Sequence, residues 1–157
     1  PHMLLYHINF GWPLLDEGTE LIWDGAVTSR GGKMDNKIFN SDCNYKKCVS
    51  PSNEYSGEES AVGFVDIAAN DKGLCECGVN NPELGLKVLL RYTKENFPWM
   101  ANWQHYGKNE YVTALEPCTA PPLGQVGAKK ENLLIQIQPQ ETRTYNIEIK
   151  VINNHLK

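Results

Sequence analysis

An all-β fold, an antiparallel β-sandwich, is the architecture this sequence predicts. Three observations carry that reading: apolar and polar residues alternate with period two, β-branched and aromatic residues cluster, and turn residues separate the clusters. No segment combines a sustained helical period with caps at both ends. Strands shorter than about ten residues bury their apolar sides most economically when two sheets pack face to face.

The first strand-like run is Leu4 to Phe10, where Tyr6, Ile8 and Phe10 share one face and His7 and Asn9 the other. From about Asp24 to Gly57 the chain is rich in Gly, Ser, Asn, Asp and Lys and has little periodic apolar content. A connection of that length is uncommon in a compact domain, and it reads as a surface excursion over the rim of a binding site. Ser60 to Ala68 follows as a strand, then the hairpin-type turn Asn70-Asp71-Lys72-Gly73, then Cys75-Glu76-Cys77 on a strand. Asn81-Pro82-Glu83 should break pairing before a strand from Leu84 to Thr93. Glu110 to Leu115 is the next strand, with Thr113, Leu115 and Pro117 opposing Ala114 and Glu116 across the pleat. After Pro121-Pro122 come Leu133 to Ile137 and Thr142 to Ile152. In the last run Tyr145, Ile147, Ile149 and Val151 alternate with polar residues, which predicts one buried and one wet face.

The 157 residues make one domain, with 41% hydrophobic and 22% charged residues. A net charge of -4 gives no electrostatic footprint for nucleic acid or an anionic membrane, and no apolar run reaches the ~20 residues of a spanning helix. Pro1-His2-Met3 resembles a tag remnant, so the domain is read as residues 4–157, and a strand beginning at Leu4 makes a truncated chain the expectation. Five cysteines, an odd count, argue against a closed disulfide framework. Cys43 and Cys48 share a polar loop where pairing is open but unrequired. Free thiols in a reducing, cytoplasmic setting are the expectation. Cys75 and Cys77 lack the four-ligand pattern of a zinc site, and neither metal nor cofactor is expected.

Four patches interleave aromatic with polar side chains: Tyr6 to Pro13, Asn80 to Leu86, Pro98 to Gly107 and Ala114 to Pro117. Rings that stack on a sugar's apolar face, beside Asn, Gln, His and Glu that bond its hydroxyls, are what a carbohydrate site needs. Each residue also has an ordinary structural reading. A strand histidine such as His7 is commonly a hydrogen-bonded structural group, and Glu116 before a proline is commonly a solvated strand end. Trp99 and Trp103 can be packing residues, and His105 a solvent-exposed turn residue. His155, in a polar tail, takes no role.

Leu4-Leu5-Tyr6-His7-Ile8-Asn9-Phe10-Gly11-Trp12-Pro13-Leu14-Leu15 resembles the block that opens the second half of the aldose 1-epimerase-like family in the galactose mutarotase superfamily. Asn81-Pro82-Glu83-Leu84-Gly85-Leu86 and Trp103-Gln104-His105-Tyr106-Gly107 resemble two further blocks. Ala114-Leu115-Glu116-Pro117 with Pro122-Leu123-Gly124 resembles a fourth, and all occur in order. The resemblance implies the C-terminal half of a β-supersandwich, with His7 as general acid and Glu116 as general base. It implies Asn9, Trp103 and His105 as sugar-binding neighbours. Anomer interconversion by ring opening needs one proton taken from the anomeric hydroxyl and one given to the ring oxygen, without metal or nucleotide.

Three functions follow as expectations: an aldose 1-epimerase-like isomerase of carbohydrate metabolism, a non-catalytic carbohydrate-binding module, or an inactive half-domain awaiting a partner. The expected ligand is a small-molecule carbohydrate. Exposed sheet edges lead to the further expectation of a homodimer.

Overall fold

The computed structural model describes residues 1–57, 60–121 and 123–153, so Pro122 and His155 lie outside the described residues. The chain forms β1 (Ile8–Gly11), β2 (Glu20–Trp23), β3 (Gly25–Ser29), β4 (Ala61–Ile67) and β5 (Leu74–Asn81). It continues with β6 (Leu86–Thr93), β7 (Trp99–Gly107), β8 (Glu110–Cys118) and β9 (Glu148–Asn153). Two short helices, α1 (Lys33–Ile38) and α2 (Gly124–Lys130), and one 3-10 turn (Asn53–Tyr55) accompany the strands among the described residues. The strands form two antiparallel sheets, ordered β1-β8-β7-β4-β3 and β2-β5-β6-β9. This is the all-β sandwich that the alternation predicts.

The core lies between the sheets. Phe10, Val65, Met100 and Leu115 face Leu21, Cys77, Val79 and Leu90 across it, while Leu15 and Phe97 fill the space from loops. Cys75 and Cys77 share the buried face of β5, as their spacing requires, with Glu76 between them on the outside. The central strand β7 is absent from the alternating segments of the sequence because nearly all its residues are buried, on both faces, which erases period two.

Local chemistry sets the turns. Gly73 N donates to Asn70 O, and Asn70 Oδ1 accepts from Lys72 N and Leu74 N. The expected turn therefore forms, but it carries the chain from β4 in one sheet to β5 in the other. Asn81-Pro82-Glu83 does not break pairing. Asn81 and Leu86 are register partners flanking a tight turn, in which Gly85 adopts φ +61° and Asn81 Oδ1 accepts from Leu84 N.

Two expected strands are corrected. Leu133 to Ile137 contributes a single bridge, Ile135 to His2, because it runs as a loop after α2. The last strand starts at Glu148 rather than Thr142, and its apolar side is not buried. Ile149 and Val151 pair with Leu90 and Val88, so they point toward the core, yet they are 59% and 66% exposed. β9 is the last strand of its sheet, and among the described residues no second layer covers the apolar side there.

The excursion after Asp24 is anchored at both ends. Its first residues pair as β3, and its last turn, Asn53–Tyr55, docks where Ser52 N donates to Tyr106 O. Buried Asp35 on α1 accepts from Val62 N at 2.7 Å, Gly32 N at 2.8 Å and Arg30 Nε at 3.0 Å. Burial works to raise its carboxyl, and these hydrogen bonds outweigh that and hold it below the ordinary value. Phe39 packs on Gly63, where any side chain would collide with its ring, and Tyr45 stacks on Trp23. The segment thus roofs the inner face of β7, where a cavity of about 580 Å3 forms over Gln104 and Tyr106. All five cysteines are free: Cys43 is exposed and Cys48, Cys75, Cys77 and Cys118 are buried. Among the described residues, no helix is long and apolar enough to cross a membrane.

Candidate active site on the outer face of the five-stranded sheet

Strand register brings the predicted site residues together. Asn9 pairs with Ala114, which pairs with Trp103, and Glu116 pairs with Ala101 in the neighbouring row. Tyr6 N donates to Pro117 O at 3.0 Å, which carries the pairing beyond the end of β1 and sets His7 beside Glu116. Paired residues share a face, so His7, Asn9, Ala101, Trp103, His105, Ala114 and Glu116 all lie on the outer side of the sheet. Phe10, Asn102, Thr113 and Leu115 take the inner side. The alternation in Leu4 to Phe10 is as expected: Phe10 is buried, Ile8 packs against the core, and the Tyr6 ring meets Phe97 edge-on.

His7 Nε2 lies 3.0 Å from Glu116 Oε1. The histidine is half-exposed, whereas Glu116 is only 5% exposed. Burial pushes the Glu116 carboxyl up from its ordinary value, and the neighbouring His7 offsets part of that rise. This is not the solvated strand end that the following proline implies by itself. The sequence signal was available, since Glu116 is the one charged residue from Val112 to Ala120. Ala101 and Ala114, both fully buried, occupy the register positions between the larger groups and leave the sheet low there.

Trp103 ties this pair to a second one. Its indole meets the His7 ring edge-on at 5.7 Å and 64°, and lies nearly parallel to His105 at 5.7 Å and 25°. His105 is 6% exposed on β7 rather than a solvated turn residue, and its Nε2 lies 3.1 Å from Glu110 Oε2. Glu110 Oε2 also accepts from Gly57 N at 3.1 Å. The His105 bond first, and the Gly57 bond second, lower the Glu110 carboxyl. Sequence reasoning missed Glu110. The turn Lys108-Asn109, with Asn109 at φ +67°, sets Glu110 opposite Gly107, which makes it a diagonal neighbour of His105. Asn9 lies on the same face with its side chain exposed. Among the described residues no group of three or more His, Cys, Asp or Glu side chains gathers into a potential metal site.

The two antiparallel sheets define an all-β sandwich protein. In structure the chain is similar to a putative aldose 1-epimerase from Klebsiella pneumoniae subsp. pneumoniae, with a TM-score of 0.86 at 17% identity. The match covers 97% of this chain and 38% of that protein, so the chain spans well under half the length of its structural relative. The chain belongs to the family described as Domain of unknown function (DUF4432), whose model matches residues 1–151. No curated protein matches the sequence.

Proposed function

We propose that this chain carries the acid–base pair of an aldose 1-epimerase-like enzyme that interconverts sugar anomers. The observation that supports this most is the contact of His7 with a buried carboxylate, Glu116, on the outer face of a mutarotase-like sheet. The two sugar oxygens that exchange protons during ring opening, the anomeric hydroxyl and the ring oxygen, are bonded to one carbon. A donor and an acceptor 3.0 Å apart can therefore serve both when the sugar sits over them.

Glu116 takes the proton of the anomeric hydroxyl while protonated His7 gives one to the ring oxygen. The carbonyl formed at the anomeric carbon then rotates, and closure from its other face reverses both transfers. A carboxyl raised by burial is a stronger base than an exposed one and works nearer neutral pH. Trp103 offers a ring edge beside the pair, and Asn9 an amide for a sugar hydroxyl. A second reading, carbohydrate binding without turnover, draws on the exposure of His7 and Asn9, since an uncovered site positions a substrate weakly.

The test is exchange NMR of anomer interconversion across a panel of free aldoses. Acceleration of at least one sugar by the wild type, lost on His7→Asn or Glu116→Gln, is the expected result. Equal acceleration by Glu116→Gln refutes the mechanism. Saturable sugar binding with no acceleration by the wild type puts the binding reading ahead.

A further inference from the structure

We infer that His105 and Glu110 form a positioning pair that holds the Trp103 indole, and through it the His7 ring, in place over Glu116. The inference rests on the reading of His7 as proton donor. His7 is half-exposed, and among the described residues two contacts fix its ring: the carboxylate of Glu116 at 3.0 Å and the Trp103 indole at 5.7 Å between ring centroids. An exposed imidazole held by one hydrogen bond keeps torsional freedom, so the orientation of the indole limits where the ring can go. The other side of that indole is covered by His105 at 25° to its plane, and His105 is almost fully buried. Its Nε2 is bound to Glu110, which is bound in turn to the backbone of Gly57 at the end of the excursion.

The contacts thus run in one line from Gly57 through Glu110, His105, Trp103 and His7 to Glu116. His105 is poorly placed to touch a sugar directly, because its ring is buried, covered by Trp103 and tied at Nε2. Glu110 is half-exposed and away from the His7–Glu116 pair, so its removal should not disturb the reacting groups by contact. A fault in this line misorients His7 without removing it. That predicts a loss in kcat with little change in KM, since substrate contacts stay where they are.

The experiment uses the full chain with Glu110→Ala, Glu110→Gln, His105→Ala and the Glu110→Ala/His105→Ala double variant. Two readouts need no substrate: the nuclear Overhauser contact between the His7 and Trp103 rings, and the pH midpoint of the His7 ring protons. With Glu110→Ala the ring contact should fall at least about twofold and the His7 midpoint should move, while the melting temperature stays near that of wild type. Glu110→Gln keeps an oxygen for His105 Nε2–H and should restore both. For any aldose that the wild type accelerates, kcat should fall about tenfold in Glu110→Ala with KM nearly unchanged. The double variant should lose little more than either single variant, because the two side chains act in series. An unchanged ring contact and His7 midpoint in Glu110→Ala overturn the inference. If the wild type accelerates no sugar, the proposed activity fails, and the two spectroscopic readouts still decide the positioning role on their own.

Discussion

Replacing Glu116 with Gln separates two consequences of one buried carboxylate. The amide has the same shape and can still accept a hydrogen bond from His7 Nε2, but it cannot act as a base. Loss of a general base lowers turnover by roughly 10²–10⁴-fold, about 3–5 kcal/mol of transition-state stabilisation. Stability should move the other way. The folded protein holds a proton on Glu116 more tightly than the unfolded chain does, because burial raises its carboxyl above the ordinary 4.5. That group therefore favours the fold fully below pH 4.5 and loses this contribution as pH rises through its raised value. Gln does not titrate. At neutral pH the variant sheds the desolvation of a buried charge and gives up only the charge-assisted part of one hydrogen bond. The net gain is on the order of 1 kcal/mol. Urea unfolding near pH 7 should show Glu116→Gln as the more stable protein, with the gap closing near pH 4. A variant that is less stable at both pH values, or a gap that does not change with pH, refutes the buried-charge reasoning.

Gly78 on β5 has no room for a methyl group: a Cβ there would lie 2.2 Å from Val88 O and 2.8 Å from Leu89 Cδ2. Gly78→Ala should force the β5–β6 pair apart at about 1–3 kcal/mol, and calorimetry should record a fall of roughly 5 °C in Tm. The uncovered apolar side of β9 leads us to expect self-association of the isolated chain, relieved by the double variant Ile149→Lys/Val151→Lys. Light scattering that finds the wild type monomeric at high concentration counts against it. Of the five thiols only exposed Cys43 should react quickly with a disulfide reagent in native buffer. The other four are buried, and burial raises Cys48 to about 11 and Cys118 to about 12, so fast modification of any of them contradicts the packing.

Period two was legible wherever a strand buries one side and wets the other. β4, β6 and β8 appear in the sequence within a few residues of their observed bounds; β4 and much of β8 are buried on both faces, and it is their β-branched and aromatic residues that mark them. β7 was not legible, because it is covered on both faces and its buried Asn102, Gln104 and His105 also break up the apolar run that marks β4. β9 misled in the opposite direction: its alternation is real, but a pattern says which side prefers burial and not whether a second layer reaches it. Ile149 and Val151 keep the preference without the cover.

For the site, sequence alone determined which groups could act and on which side of each strand they lie. His7 and Asn9 oppose Phe10, and Glu116 opposes Leu115, by the geometry of extended backbone. Only the tertiary structure decided that these two segments, more than a hundred residues apart, meet at 3.0 Å. That distance depends on β1 pairing with β8 in a register that matches Ile8 to Leu115, and no local pattern encodes a register between distant strands. The same holds for Glu110 and His105. Their separation in sequence is short, but their contact follows from the turn between β7 and β8, and the role of Glu110 from what Trp103 touches on its other side. Burial of Glu116, the property that raises its carboxyl, is likewise set by β1 and β7 on either side of β8 and not by its own neighbours in the chain.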